Sequence, residues 1–298
     1  MKQLKFKSKL QAAVQERTLA EKKGIYYPMI RSRHPSHNGL RNALRKMPFR
    51  SVIRFGSTTE LDDPATRNGS RVELNSADGI RNSSSKLKMK RCFQTENVKT
   101  APWIQYSDET TLNAFITEQG FPIVAKSHNG SRGRGNTLLK TQQDVITFLN
   151  SRPNNLNGYI FEKYCNYNKE YRLHVTEDGC FYSCRKMLKT EFKDHPNAWQ
   201  RHDDNSAWIL PENPLFDQPN NWNTIIEHCV KAVKSCGLDF GACDLRVQNN
   251  TNADGERRSE PDFIVVEVNS APSFGDVTLE KYKEELPKLL MKKYGTKR

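Results

Sequence analysis

Val265-Val266-Glu267-Val268-Asn269-Ser270-Ala271-Pro272 places a carboxylate and a carboxamide in an otherwise apolar run. Side chains alternate along a strand, so Glu267 and Asn269 share one face. Their oxygens are hard donors of the kind Mg2+ takes. The plain alternative is the polar face of an edge strand. A glutamate among valines is costly to bury without a partner, however, and this favours a metal site. Upstream, 241–247 reads as a strand, and a polar loop holding Asp254-Gly255 separates it from 263–268. That spacing predicts an antiparallel pair, which brings Asp244 to Glu267 and Asn269.

Further toward the N-terminus, the strand Pro122-Ile123-Val124-Ala125-Lys126 runs into Asn129-Gly130-Ser131-Arg132-Gly133-Arg134-Gly135 and returns through Thr137-Leu138-Leu139. Glycines let backbone N–H groups converge on phosphate oxygens, and Lys126, Arg132 and Arg134 supply positive charge. No Gly-Lys-Ser/Thr follows, as a Walker A loop needs, and no helix begins there, as a dinucleotide fingerprint needs. Alone this is an ordinary glycine-rich hairpin; beside a Mg2+ site it becomes a nucleotide-phosphate candidate. A third cluster is Glu162-Lys163-Tyr164-Cys165, with Glu170 and Arg172 beyond it on one strand face. A surface ion pair is the plain reading; the functional one sets Glu170 on a ribose and Arg172 near a transferred phosphate.

Between these clusters the pattern is regular. Ser107 is expected to cap a helix carrying Leu112, Phe115 and Ile116 that Gly120 closes, and Thr141 to open one carrying Val145, Ile146 and Leu149. Tyr159–Glu162 and Glu170–Val175 read as strands, and 190–220 as irregular and polar. Trp222, Ile225, Ile226, Cys229, Val230 and Val233 follow helical spacing, with Gly237 at the end. A last helix is expected over 279–294, started or kinked by Pro287. The order is α+β, without internal repeats.

Charge is uneven over the 298 residues. Residues 1–102 hold 22 Lys and Arg against 8 Asp and Glu, a net of +14, and the remainder is close to neutral. Such a region attracts nucleic acid or an acidic protein segment, or is simply a solvated basic surface. No named nucleic-acid motif is present. Lys5 to Lys23 reads as a basic amphipathic helix with Phe6, Leu10, Ala13 and Val14 on one face, ended by Gly24. No apolar run approaches the ~18 residues of a membrane span, and the first residues lack the apolar stretch of a secretory signal. Seven cysteines without a Cys-x-x-Cys pair fit a reduced compartment. A cytoplasmic protein is expected.

Taken in order, the clusters resemble the ATP-grasp superfamily over roughly Ser83 to Phe274, about two thirds of the chain. The resemblance implies an α+β ATP-grasp fold, in which two α+β subdomains grip ATP behind a small basic N-terminal domain. The implied segments are 1–101, 102–165 with the glycine-rich lid, and 166–298 with the metal site. It implies nucleotide contacts from Lys86, Lys126 and the lid residues Gly130, Ser131, Arg132, Gly133, Arg134 and Gly135. The hinge Glu162, Lys163, Tyr164 and Cys165 would read adenine, and Glu170 would take the ribose. Asp244, Glu267 and Asn269 match the metal triad, and Arg172 and Arg185 the catalytic arginines that offset phosphate charge.

Glu267-Val268-Asn269-Ser270-Ala271-Pro272 and Cys184-Arg185-Lys186 are similar to the RimK-like ligases, which add amino acids to peptide or protein carboxylates. This implies an ADP-forming carboxylate–amine ligase that works through an acyl phosphate, uses ATP with Mg2+ or alternatively Mn2+, and acts on a peptide or protein. An ATP-grasp phosphotransferase, and a nucleic-acid or acidic-protein binding module with a regulatory ATP site, stay open as alternatives. Two departures stand out: 195–203 does not follow the subgroup, and the N-terminal third lacks the alternating strand–helix pattern of the family's usual first domain. The compact basic make-up is similar to ATP-grasp proteins of tailed phages, which implies a host-cytoplasm setting.

Overall fold

A computed structural model describes residues 15–296 except Arg17, Arg33, Asp63, Asn68, Ser131, Arg132, Arg134, Pro153 and Asp203. The first elements are β1 (Met29–Ser32), α1 (Asn38–Ala43), β2 (Ser51–Phe55), β3 (Val72–Leu74), α2 (Ala77–Ser84) and α3 (Lys86–Thr95). Next come β4 (Trp103–Gln105), α4 (Glu109–Gln119), β5 (Ile123–Ser127), β6 (Thr137–Leu139), α5 (Gln142–Asn150) and β7 (Tyr159–Lys163). The chain continues with β8 (Lys169–Thr176), β9 (Gly179–Leu188), β10 (Ser206–Ile209), α6 (Trp222–Ser235), β11 (Phe240–Val247), β12 (Phe263–Asn269) and α7 (Asp276–Gly295). Two compact units result: Met1–Ile80 with Ser270–Arg298, and Arg81–Asn269.

The first unit holds a parallel sheet in the order β1-β2-β3. This is the strand–helix layer that the sequence did not reveal, because its strands are only three to five residues long. Val52, Ile53 and Phe55 of β2 are buried, as are Tyr282, Leu286, Leu289 and Leu290 of α7. Phe274 lies 4.3 Å from Tyr282 between ring centres. Helix α7 runs through Pro287 as one element. His37 is buried in the same layer, its Nε2 donating to the Pro272 carbonyl at 2.8 Å while Ser32 Oγ donates to Nδ1 at 2.6 Å. Burial lowers the His37 pKa to about 4, so the ring is neutral. Of the basic helix expected over Lys5 to Lys23, the described backbone is helical at 15–16 and 18–22, and Gly24 follows at φ +69; Phe6, Leu10, Ala13 and Val14 lie outside the described residues.

The second unit contains two antiparallel sheets, β4-β7-β5-β6 and β10-β9-β8-β11-β12. Leu112, Phe115, Val145 and Phe148 of α4 and α5 close over Ile123 and Phe161 of the smaller sheet. The α4 cap is Asp108 rather than Ser107: Asp108 Oδ1 accepts from Thr111 N at 2.7 Å, and Ser107 donates to Asp108 instead. Thr141 caps α5 as expected, in a capping box with Asp144. On the larger sheet, α6 covers the face formed by Tyr171, Leu173, Cys243 and Leu245 with Ile225, Cys229, Ala232 and Val233. Strand β10 falls within the stretch expected to be irregular.

Two bulges interrupt the larger sheet. His174 pairs with Tyr182 and Val175 with Cys180, which leaves Phe181 as an extra residue in β9. Asp244 pairs with Glu267 and Leu245 with Val265, which leaves Val266 as the extra residue in β12. The units also differ from the segments expected at 1–101, 102–165 and 166–298. Helix α3 packs in the second unit, where Met89 and Phe93 are buried and Met89 Sδ accepts from Val268 N at 3.2 Å. Helix α7 joins the first, because its apolar stripe completes the core around Phe55.

Candidate active site

The face of the larger sheet away from α6 is polar. The register puts Glu170, Arg172 and His174 of β8 beside Arg246 and Asp244 of β11, and Glu267 of β12 beside Asp244. Arg172 binds Asp244 twice, Nε to Oδ1 at 2.6 Å and NH2 to Oδ2 at 2.8 Å. Asn269 Nδ2 donates to Asp244 Oδ2 at 3.1 Å and to Glu267 Oε1 at 3.3 Å. Burial opposes charge on Asp244, yet Arg172 outweighs it and holds the carboxyl below its ordinary range. At Glu267, burial and then the Asp244 charge push the carboxyl above its ordinary range. His174 is lowered to about 3 by burial and by Arg172, so it is a neutral neighbour.

These residues fit a small hard cation. Two carboxylates are crowded together, with Arg172 the guanidinium hydrogen-bonded to one of them. A half-turn of the Asn269 amide presents its oxygen as a third donor. Among the described residues no three His, Cys, Asp or Glu side chains gather for a metal, so Asp244 and Glu267 would need oxygen donors of another kind, such as this carboxamide.

A lysine cluster lies next to this group. Lys126 Nζ is 2.8 Å from Glu162 Oε1 and Lys90 Nζ 2.9 Å from Glu162 Oε2. Burial opposes charge on Glu162, but Lys126 and Lys90 hold its pKa down at about 2. Lys90 is fully buried and donates to Thr100 Oγ1; burial lowers its pKa. Lys86 donates to the Gly130 carbonyl, and its pKa is also lowered by burial. Lys86, Lys126, Glu162, Val266 and Glu267 line one small cleft. Three ammonium groups against one carboxylate leave a surplus of positive charge beside the acidic pair.

Elsewhere in the hinge, Lys163 turns away and donates to the Gly120 and Phe121 carbonyls, each at 3.2 Å. Tyr164 N donates to Pro122 O at 3.2 Å, and Cys165 is half-buried. Glu170 is engaged within the chain: Arg201 NH1 lies 3.2 Å and Arg246 Nε 3.4 Å from its Oε2. Arg201 also donates to the Asn168 carbonyl at 2.7 Å, and Arg246 to the Trp199 carbonyl at 2.5 Å. Gly133, at φ +69, passes so near this segment that a Cβ there would lie 2.2 Å from Gln200 Oε1. Gly135 also has positive φ, at +80. Ser131, Arg132 and Arg134 of the expected lid lie outside the described residues.

Residues 91–237 match the ATP-grasp domain family. The chain carries an ATP-grasp domain. Its fold is similar to D-alanine–D-alanine ligase from Bacillus anthracis, with TM-score 0.55 and 15% identity over 82% of this chain and 78% of that one. It is also similar to N5-carboxyaminoimidazole synthetase from Staphylococcus aureus complexed with ADP, with TM-score 0.57 and 16% identity over 80% of this chain and 60% of that one. Formate-dependent phosphoribosylglycinamide formyltransferase from Prochlorococcus marinus (strain MIT 9515) is 28% identical over 121 residues, 38% of this chain and 31% of the relative. The chain thus spans about a third of the length of the curated relatives it matches.

Within this ATP-grasp fold one expected residue is displaced. Arg185 pairs with Tyr171 and so faces α6, not Asp244. Its NH1 donates to the Leu215 carbonyl at 2.6 Å and lies 4.0 Å from Asp217. The cation on the ATP-grasp polar face is its neighbour Lys186, paired with Glu170 and bonded to the Arg201 carbonyl at 2.9 Å. Sequence reasoning also missed Lys90, which looks like one more surface lysine in Lys86-Leu87-Lys88-Met89-Lys90. Its signal was the helical period, which puts Lys86, Met89, Lys90 and Phe93 on one stripe. Arg201 and Arg246 carried no motif signal at all.

Proposed function

We propose that this protein is an ATP-dependent ligase that activates a carboxylate as an acyl phosphate and joins it to an amine, releasing ADP and phosphate. The observation that carries this reading is the single cleft lined by Lys86, Lys126 and Glu267, where a polyanion cradle adjoins two crowded carboxylates. Lys86 and Lys126 draw the ATP phosphates, and Lys90 keeps Glu162 ionised so that Lys126 stays aimed. Glu170 takes the ribose hydroxyls once Arg201 releases it. Arg172 and Lys186 offset charge on the phosphoryl group in transfer, so catalysis is positioning and electrostatics without a covalent enzyme intermediate. Asp244, Glu267 and Asn269 would hold Mg2+, or alternatively Mn2+, which neutralises phosphate charge when bound.

The acceptor in this reading is a carboxylate on a peptide or protein. The +14 charge of residues 1–102 supports recruitment of an acidic macromolecule or nucleic acid. Among the described residues no helix is long and apolar enough to cross a membrane, and the reading sets the reaction in the cytoplasm.

The test is incubation with Mg-ATP, candidate carboxylates and hydroxylamine. A hydroxamate formed together with ADP and phosphate supports the ligase. AMP and pyrophosphate would mean adenylation, and a stable phosphorylated product that incorporates no amine would mean a phosphotransferase.

A further inference from the structure

Trp208 stands on the edge strand β10, in register with Lys186. The indole is 36% exposed, yet the cations it meets are sheltered: the Arg172 side chain is 15% exposed and Lys186 9%. The Arg172 guanidinium carbon lies 4.9 Å and Lys186 Nζ 5.0 Å from the ring centroid, both within cation–π range. Arg172 reaches on to Asp244 through its two hydrogen bonds. Cross-strand pairing alone brings Trp208 to Lys186, but its reach to Arg172 extends one strand further, to β8. Its position sets an apolar wall between solvent and the cations assigned to the transferred phosphoryl group.

We propose that Trp208 is a positioning residue that keeps water away from the Arg172–Lys186 end of the site and so suppresses wasteful ATP hydrolysis. This rests on the ATP-dependent reading above. In the reaction it opposes, a water oxygen forms a bond to the γ-phosphorus as the bond to the β–γ bridging oxygen breaks. ADP leaves with that electron pair, and the water proton passes to solvent.

The experiment uses the full chain with Mg-ATP alone and no acceptor, following phosphate release beside Mg-ATP affinity by calorimetry. Trp208→Ala is expected to raise acceptor-independent hydrolysis at least fivefold while affinity stays within twofold of the parent. Trp208→Leu keeps apolar bulk without a π-face and is expected to stay within twofold of the parental hydrolysis rate, which separates water exclusion from ring–cation attraction. Unchanged or reduced hydrolysis in a folded Trp208→Ala chain that still binds Mg-ATP overturns the proposal. A Trp208→Leu chain as leaky as Trp208→Ala overturns the water-exclusion account. A parent chain that binds no Mg-ATP overturns the functional reading itself.

Discussion

Arg172 and Asp244 form a two-bonded pair, 2.6 and 2.8 Å long, with side chains only 15% and 16% exposed. Removing one partner of a sheltered pair strands the other charge, which typically costs about 3–5 kcal/mol. Arg172→Met leaves Asp244 facing Glu267 without its guanidinium, so urea unfolding at pH 7 should show a loss of about that size. The Asp244 pKa is depressed on folding, so the pair's contribution is present above the ordinary value of 3.8 and is lost as pH falls through the lower folded value. The gap between parent and variant should therefore narrow in acid. A gap that stays constant with pH would show that the pair does not carry this stability.

Glu162 supports a similar test with two partners. Glu162→Gln leaves the Lys90 ammonium buried without a counter-charge, a loss of about 3–5 kcal/mol. Lys90→Met in the same chain removes the stranded charge and should recover part of that loss. Because the Glu162 pKa is held at about 2, its contribution is intact above the ordinary 4.5 and disappears between 4.5 and about 2. Chemical denaturation of the two variants at pH 7 and pH 3 reads both effects; a double variant less stable than the single one would contradict the pairing.

Nucleotide binding should separate Lys126 from Glu267. Lys126→Ala removes one positive charge from the phosphate cradle and should weaken Mg-ATP binding at every metal concentration. Glu267→Gln weakens the cation site, so excess Mg2+ should restore part of the turnover. Calorimetry across a Mg2+ series distinguishes them, and a Lys126→Ala chain with parental affinity would refute the cradle.

Lys186→Ala and Arg185→Ala should part ways. Loss of a cation aimed at developing charge is expected to cut turnover about 10²-fold, with Mg-ATP affinity less affected. Arg185→Ala removes a hydrogen bond to the Leu215 carbonyl on the α6 face and should cost about 1–3 kcal/mol of stability with little effect on turnover. The reverse pattern would return Arg185 to the site.

The hairpin that carries Asp244, Glu267 and Asn269 was legible because two short alternating strands flank a turn-rich loop, and antiparallel pairing then leaves little freedom. The lysine after a buried strand and the acid–arginine pair in β8 were legible for the same reason. Arg185 was expected from the resemblance of Cys184-Arg185-Lys186 alone, and the strand register turns it to the other face. Pairing β8 and β9 regularly outward from Thr176 and Gly179 sets Arg185 opposite Glu170, on the polar face. The extra residue at Phe181 shifts the count by one, so Lys186 takes that position. Nothing in Cys180-Phe181-Tyr182-Ser183 marks a bulge in advance. Arg201 and Arg246 were hidden differently, since their partner Glu170 lies 31 and 76 positions away and no local period links them.

The bulge at Val266 gives β12 an uneven tolerance to changes in length. Deleting Val266 would convert the bulge to regular ladder and still leave Glu267 opposite Asp244. Deleting Val268 would instead set Asn269 opposite Cys243, turning a carboxamide into the core where Cys243 Sγ donates to the Cys229 carbonyl at 3.4 Å. The first deletion should retain Mg-ATP binding and the second should abolish it. Spacing is thus a functional property of this strand in its own right: a gap is permitted at the bulge and forbidden two residues beyond it.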